Sequence, residues 1–458
     1  MTTRERADVV VIGLGPGGEE VAGRLAEAGL DVVGIEKELL GGECPYWGCV
    51  PSKMMIRASN LLAEARRVDG IAGSATVRPD WAPVARRIRE EATDTWDDKV
   101  AVDRFVGKGG RFVRGEGVVT GIGRVVVGDR EIEASQGIVI ATGTVPVIPP
   151  VPGLKELAYW TNRDAIKTED VPDSLLVLGG GAVGLELAQV FARFGSQVTV
   201  VEGAPRLVPM EEPEASEMIA GVLAAEGLDV RTGHAVTGAR QDGPSLALQL
   251  ADGSELTGRR LLVATGRRTA FSSLGLDALG LNSSARFLDV DEHMRAAPGV
   301  WAVGDVTGKG LFTHMAMYQA GIAVNDILGR KGHVADYRAI PRVTFTDPEI
   351  GSVGLSAEMA RREGLRVRTG FTVLSSSVRG WIHKAGNEGF IKLVEDVDKG
   401  VLVGATSAGP NGGEVLSLLT LAVHAKVHTE DLASMIFAYP TFHRAVEDAL
   451  RDLHAQPA

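Results

Sequence analysis

Short apolar runs alternate with amphipathic stretches along most of this chain. The first such pair is ADVVVIGLGPGGEEVAGRLAEAGLDVVGIEK. An apolar run of strand length enters a glycine-rich turn, a stretch of 3.6-residue period follows, and a second apolar run ends in an acid, which predicts strand, turn, helix, strand. SLLVLGGGAVGLELAQVFARFGSQVTVVEG repeats the pattern 166 residues later, with Gly179, Gly181, Gly184, Gly195 and Glu202 in register with Gly13, Gly15, Gly18, Gly29 and Glu36. Gly29 and Gly195 stand where a left-handed residue stops a helix. Two further apolar runs, GIVIATGTVPVIP and RLLVATGRRTA, end in Ala-Thr-Gly, and GVWAVGDVTG ends in Gly304-Asp305. Glycine just past a strand permits close backbone approach, to a ligand or to another segment. Residues 80–103 read as a charged, solvated helix without a site, with Asp80 near its N-cap. Beyond about residue 336 strands are followed by helices such as EVLSLLTLAVHAKV, which marks a separate α+β domain.

The spacing of the glycines adds chemistry to these elements. In a dinucleotide fingerprint the first glycine allows the sharp turn, the second lets backbone approach a pyrophosphate, and the third permits close helix–strand packing; the acid holds a ribose diol. Gly13, Gly15, Gly18 and Glu36 fill these roles in the first copy, and Gly179, Gly181, Gly184 and Glu202 in the second. The duplication means two dinucleotide sites, or one site and a decayed copy; the intact glycines and acids favour two. Two dinucleotides facing each other suggest electron transfer.

A chain of 458 residues divides into two to four domains. With 45% hydrophobic and 23% charged residues and no apolar run long enough to cross a bilayer, its composition is that of a soluble globular protein. MTTRERADVV lacks the apolar core of an export signal, so a cytoplasmic location is expected. The net charge of −11 argues against nucleic acid or an anionic membrane as partner and leaves small molecules or proteins. Both cysteines fall in GGECPYWGCVPSK, residues 41–53. Two cysteines cannot staple a chain of this length, and no histidine or further cysteine lies nearby to complete a metal site, so no metal is expected. Redox chemistry or accident remains.

The CxxxxC-VPSK stretch after one fingerprint, the second fingerprint, the two ATG turns and VGD near residue 304 together resemble the class I pyridine nucleotide–disulfide oxidoreductases over almost the whole chain. The resemblance implies an α/β fold with two Rossmann-like dinucleotide-binding domains and a C-terminal α+β dimerisation domain. Residues 1–150 and 268–336 would bind FAD, 151–267 would bind NAD(P)H, and 337–458 would form the interface of a homodimer whose active site is shared between subunits. Gly13, Gly15, Gly18 and Glu36 would hold the ADP half of FAD, with Gly117 near the adenine. Thr142 and Gly143 would flank the flavin, Asp305 would hold the ribityl chain, and His314 would lie close to the ring. Gly179, Gly181, Gly184, Glu202 and Gly266 would hold the nicotinamide coenzyme. A carboxylate accepts the ribose 2′-hydroxyl and repels a 2′-phosphate, so Glu202 favours NADH; Arg206, four residues on, leaves NADPH possible.

Two residues five apart in a straight helix have Cα atoms roughly 8–9 Å apart, whereas a disulfide needs about 4.4–6.8 Å. An oxidised Cys44–Cys49 pair therefore requires broken helix, and Pro45 and Gly48 supply the break. We expect Cys44 in the turn and Cys49 at a helix start, where the positive dipole end favours its thiolate. The resemblance gives Cys49 to the flavin and Cys44 to interchange with a small electron acceptor, most readily a disulfide. Lys53 would stand by the flavin's reactive nitrogen, paired with Glu186. The family's C-terminal HPTxxE is YPTFHR here, with Tyr439 at the histidine position and Arg444 at the glutamate position. Tyrosine is a poor general base near neutrality, and His443 with Glu447 at i, i+4 offers a displaced dyad. A quinone or metal-ion acceptor would not need the dyad, and a redox-sensing role is the other alternative. Tyr46, Trp47 and Tyr439 make the surroundings of Cys44 aromatic, which suits a flat or apolar acceptor better than a lipoyl arm.

Overall fold

A computed structural model describes residues 3–455, which divide into two compact units: residues 3–51, 86–147 and 267–337 in the first, 52–85, 148–266 and 338–455 in the second. At the centre of the first unit lies a sheet in the order Arg295–Ala297, Val300–Ala302, Arg130–Ile140, Thr3–Ile12, Val32–Glu36, Arg111–Arg114. The strands from Val300–Ala302 to Arg111–Arg114 run parallel. Alternation along Thr3–Ile12 explains why both faces are covered. Val9 and Val11 join Val21 and Leu25 of the helix Pro16–Glu27, whereas Val10 and Ile12 join Val33, Ile35 and Ile138 in a second buried cluster.

The second unit repeats the design. Its parallel sheet runs Asp229–Thr232, Gln197–Glu202, Ser174–Leu178, Arg260–Val263. The duplication extends to strand register: Val9 pairs Val32 in one unit, and Leu175 pairs Val198 in the other. Gly13 N–H donates to Ile35 O and Gly179 N–H to Val201 O, both at 2.8 Å. Gly29 and Gly195, at φ of 92° and 107°, end the two fingerprint helices as expected.

The same unit carries a five-stranded antiparallel sheet, Pro341–Thr344, Glu349–Gly354, Val401–Gly409, Phe390–Asp396, Val367–Val373. Helices Gly412–Ala425 and Ala445–Ala455 bury Leu416, Leu419, Val446, Leu450 and Leu453 in one cluster with its strands. Strands followed by helices match the α+β reading of this segment. Among the described residues, no helix is long and apolar enough to cross a membrane.

Residues 80–103 depart from the single helix expected. Asp80 does accept from Ala82 N–H at 3.1 Å, but the helix Ala82–Arg87 passes into a π-helical turn, Ile88–Ala92, and stops. Asp94, Thr95 and Trp96 then take φ of 46°, 60° and 58°, and a new helix runs Lys99–Gly107. Three consecutive left-handed residues cost about 1–2 kcal/mol each. Trp96 offsets part of this by stacking on Trp47 at 5.6 Å between ring centroids. Thr93 Oγ1 donates to Ile88 O and Arg89 O, which closes the preceding turn.

The fingerprint glycines separate by what a side chain would meet. A Cβ on Gly184 would lie 2.1 Å from Gly179 O, whereas one on Gly181 would meet nothing within 4 Å. Gly184→Ala should therefore lower stability by roughly 1–3 kcal/mol, the usual cost of overpacking, while Gly181→Ala leaves it unchanged. Denaturant titration of the two variants checks this.

Candidate active site

The two fingerprints form matching cradles. In the first, a Cβ on Gly13 would stand 2.5 Å from Ala141 O, and one on Gly18 would stand 1.9 Å from Gly13 O. Gly179 would likewise meet Ala264 O at 2.4 Å. Gly15 and Gly181, at the N-caps of helices Pro16–Glu27 and Ala182–Arg193, face open space instead. Two glycines thus make each close packing, and the middle one leaves room for a ligand at the helix dipole's positive end. Each acid is tied to its own turn. Glu36 accepts from Leu14 and Glu38 N–H at 2.8 Å each, and Glu202 accepts from Gly180 and Ala204 N–H at 2.7 Å each. Gly143 and Gly266, past the two ATG strands, also face open space, whereas Gly117 packs against Ile12 and Ile35. His314 is exposed on the helix Thr313–Ile327, its ring stacked on Phe312 at 5.1 Å.

Asp305 belongs to a small polar network. Thr144 Oγ1 donates to Asp305 Oδ2 at 2.7 Å, and Arg267 donates to Thr144 Oγ1 at 2.9 Å and to Thr144 O at 2.7 Å. Burial pushes the Asp305 carboxyl above its ordinary range, opposed by the Thr144 hydrogen bond and the Arg267 charge. Thr144 and Arg267 escaped the sequence reading, although each directly follows an Ala-Thr-Gly turn.

The cysteine stretch is broken at one of the two residues expected to break it, Gly48. A short helix, Glu43–Trp47, holds Cys44; Gly48, at φ −139° and ψ −113°, interrupts it; Cys49 then opens the helix Cys49–Arg66. Cys44 therefore lies within a helix and not in the turn expected for it, Pro45 sits inside that helix without breaking it, and both cysteines are thiols, near each other but not at disulfide distance. Cys49 Sγ lies 3.4 Å from Thr313 Oγ1, a hydroxyl able to hydrogen-bond a thiolate. Thr313 was also missed, and its only sequence signal was its place beside His314. A cavity of about 560 Å³ opens at Cys44, lined also by Leu40, Pro45, Tyr46, Phe105 and Met317. Glu19, Glu20, Glu91, Asp94 and Asp97 face it against Arg104 and Lys108. The segment read as a helix without a site thus supplies part of this wall. Burial, then the carboxylates of Asp98 and Glu19, push the Tyr46 phenol up, so it stays a neutral hydroxyl.

In the second unit Lys53 Nζ donates to Glu186 Oε2 at 2.8 Å, and Glu186 is only 6% exposed. Phe345 completes the pair: its N–H donates to Glu186 Oε1 at 2.8 Å and its ring faces Lys53 Nζ at 4.5 Å. Nothing in the sequence near either residue signalled Phe345, which is far along the chain.

The C-terminal segment corrects one expectation. His443 and Glu447 form no dyad, because the helix begins only at Ala445 and the Glu447 carboxylate is held by Arg444 and Arg451. His443 Nε2 instead lies 3.4 Å from Thr441 Oγ1. Arg444 also covers the Tyr439 ring at 5.4 Å, and Tyr439 is 65% exposed. Among the described residues, no group of three or more His, Cys, Asp or Glu side chains is arranged to hold a metal ion.

Two glycine turns open at helix N-termini and two thiols on either side of Gly48 are the parts that a two-electron oxidoreductase would need. Residues 7–320 match the sequence profile of the pyridine nucleotide-disulphide oxidoreductases, and residues 340–450 match the dimerisation domain of the same proteins. A dihydrolipoyl dehydrogenase of Thermus scotoductus is 35% identical over 98% of either chain. A mercuric reductase of Acidithiobacillus ferrooxidans is 33% identical over 94% of this chain and 80% of that one. Among solved structures, the Cu(II) complex of the HOCl-induced flavoprotein disulfide reductase RclA from Escherichia coli matches with a TM-score of 0.86. Its identity is 25%, over 98% of this chain and 99% of that one. LpdA from Mycobacterium tuberculosis matches with a TM-score of 0.84 at 25% identity, over the same shares.

The chain belongs to the pyridine nucleotide-disulphide oxidoreductase family. It is an FAD-dependent enzyme using NAD(P)H, and its dimerisation domain points to a homodimer. The open spaces beside Gly15 and Gly181 leave room for the pyrophosphates of the two cofactors, and the backbone-held carboxylates of Glu36 and Glu202 close the two turns as ribose acceptors would.

The raised Asp305 carboxyl gives a signed prediction. A buried carboxylate destabilises the folded chain increasingly as pH rises above its ordinary value near 3.8, and that cost vanishes below it. Asp305→Asn should therefore raise the melting temperature of the FAD-free protein at neutral pH and give no gain below about pH 3. A lower melting temperature at neutral pH would mean that the Thr144–Arg267 network needs the charge.

Proposed function

We propose that this enzyme passes two electrons from NADH through FAD and the Cys44–Cys49 pair to a small disulfide with apolar, uncharged or cationic flanks. The observation that carries this reading is the cavity beside Cys44, apolar in its walls and bordered by five carboxylates against two cations. Bound FAD supplies the two-electron relay between coenzyme and cysteines. The chain's residues do the rest. Cys49, at the start of an 18-residue helix and beside the Thr313 hydroxyl, is stabilised as a thiolate. Cys44 attacks one sulfur of the acceptor, the other sulfur leaves with a proton, and Cys49 then displaces the second product thiol to reform the Cys44–Cys49 disulfide. Glu186 holds the Lys53 ammonium, which would offset negative charge on a reduced flavin. We also propose that residues 1–150 and 268–336 bind FAD, that 151–267 bind the coenzyme, and that 337–458 carry the dimer contact, from which Tyr439 serves the partner's Cys44.

NADH is favoured over NADPH by two features of the second fingerprint. Glu202 repels a 2′-phosphate. Arg206 gives its guanidinium to four acceptors of its own chain, Val208 O, Pro209 O, Glu211 O and Ser216 Oγ, and so is not offered to one.

A second reading, transfer to a quinone or a metal ion, draws on the absence of the His–Glu dyad. It also draws on two similar proteins, the mercuric reductase of Acidithiobacillus ferrooxidans and RclA in its Cu(II) complex.

Steady-state NADH oxidation separates the two. Under the first reading Cys44→Ser reduces turnover with every disulfide to background, and anaerobic NADH makes both cysteines available to iodoacetamide in the wild type. Rapid turnover with menadione or Cu(II) that survives Cys44→Ser would favour the second reading. The acidic cavity adds a salt effect: between about 0.01 and 0.15 M ionic strength, kcat/KM should rise for an anionic disulfide and fall for a cationic one. Equal salt dependence for both would remove the charge argument. Efficient turnover with free dihydrolipoamide would contradict the preference for acceptors that need no base.

A further inference from the structure

The loop between strand Gln197–Glu202 and helix Pro213–Ala225 is held more tightly than a surface connection requires. Val208 lies at φ 38°, a strained value for a β-branched side chain, and is 5% exposed. Its N–H donates to Gly180 O at 2.9 Å, inside the second fingerprint. Its carbonyl is one of the four acceptors of Arg206; the others are Pro209 O at 2.7 Å, Glu211 O at 2.9 Å and Ser216 Oγ at 2.8 Å. Ser216 Oγ in turn donates to Leu207 O at 2.6 Å, and the Leu207 side chain packs over Gly180.

The far end of the loop is anchored elsewhere. Glu211 takes a two-pronged hydrogen bond from Arg342, at 3.1 and 3.2 Å, and another from Ser352, both on strands of the antiparallel sheet. Glu212 accepts from Ala357 N–H at 2.6 Å and from Lys392 Nζ at 2.9 Å. Glu211 and Glu212 are buried, so these are desolvated, partnered charges.

We infer that Arg206 is a positioning residue for the coenzyme. It holds the strained Val208 loop so that Gly180, Gly181 and Glu202 are already in binding geometry, and Glu211 on Arg342 fastens that loop to the C-terminal sheet. Arg206 acts through the loop and does not touch the coenzyme. The inference rests on the reading of the second fingerprint as the nicotinamide site and is independent of the acceptor.

Isothermal titration of the FAD-loaded enzyme with NAD+ and NADP+ tests it without any acceptor. Lysine cannot reproduce a planar fork to four acceptors. Arg206→Lys should therefore weaken NAD+ and NADP+ by the same factor, about tenfold for roughly one net hydrogen bond, and raise the KM for NADH while kcat holds. Glu211→Gln, outside the fingerprint, should shift both affinities in the same direction. Ser216→Ala, which removes one acceptor, should give a smaller common shift and serves if Arg206→Lys fails to fold. Loss of NADP+ binding with NAD+ unchanged would make Arg206 a phosphate ligand and overturn the inference. Unchanged affinity for both coenzymes in the folded variants would overturn it equally.

Discussion

Everything in this enzyme depends on two places where helix backbone is pressed onto the turn before it. At Gly18 and Gly184 there is no room for a single methyl group against the carbonyls of Gly13 and Gly179. That contact sets the helix N-terminus over the strand edge, and the orphan N–H groups there then face a space left open by Gly15 and Gly181. The price of such closeness is that no other residue fits. The two copies agree in strand register and in the hydrogen bonds that tether Glu36 and Glu202.

The chemistry at the cysteines uses a different constraint. Gly48 separates the short helix that holds Cys44 from the long one that Cys49 opens, and the break leaves Cys49 at the positive end of that long helix. The cavity at Cys44 is bounded partly by a stretch that gives up regular helix, Ile88–Trp96. Strain there is partly offset by the Trp47–Trp96 stack, so the aromatic residue between the cysteines supports the pocket wall.

Polar groups in the second unit are handled by burial in closed networks. Glu186 answers both Lys53 and the Phe345 N–H, and Glu211 answers Arg342 and Ser352. Each carboxylate joins segments far apart in sequence. A fully partnered network of this kind fixes the geometry of the segments it joins.

The sequence by itself determined both dinucleotide cradles, because glycine spacing and the closing acid act within about thirty residues, where backbone sterics decide. It likewise determined the broken helix of CPYWGC and the strands-then-helices order of the C-terminal segment. Only the tertiary structure decided which partners meet across long separations: Thr313 on Cys49, Thr144 and Arg267 on Asp305, Phe345 around Lys53 and Glu186. It also decided that Glu447 goes to Arg444 and Arg451 and not to His443, since a helix that starts at Ala445 leaves His443 outside it. The reason is common to all of them. Local pattern records the backbone conformation each segment prefers, whereas a carboxylate's partner is settled by which donors remain once the segments have packed.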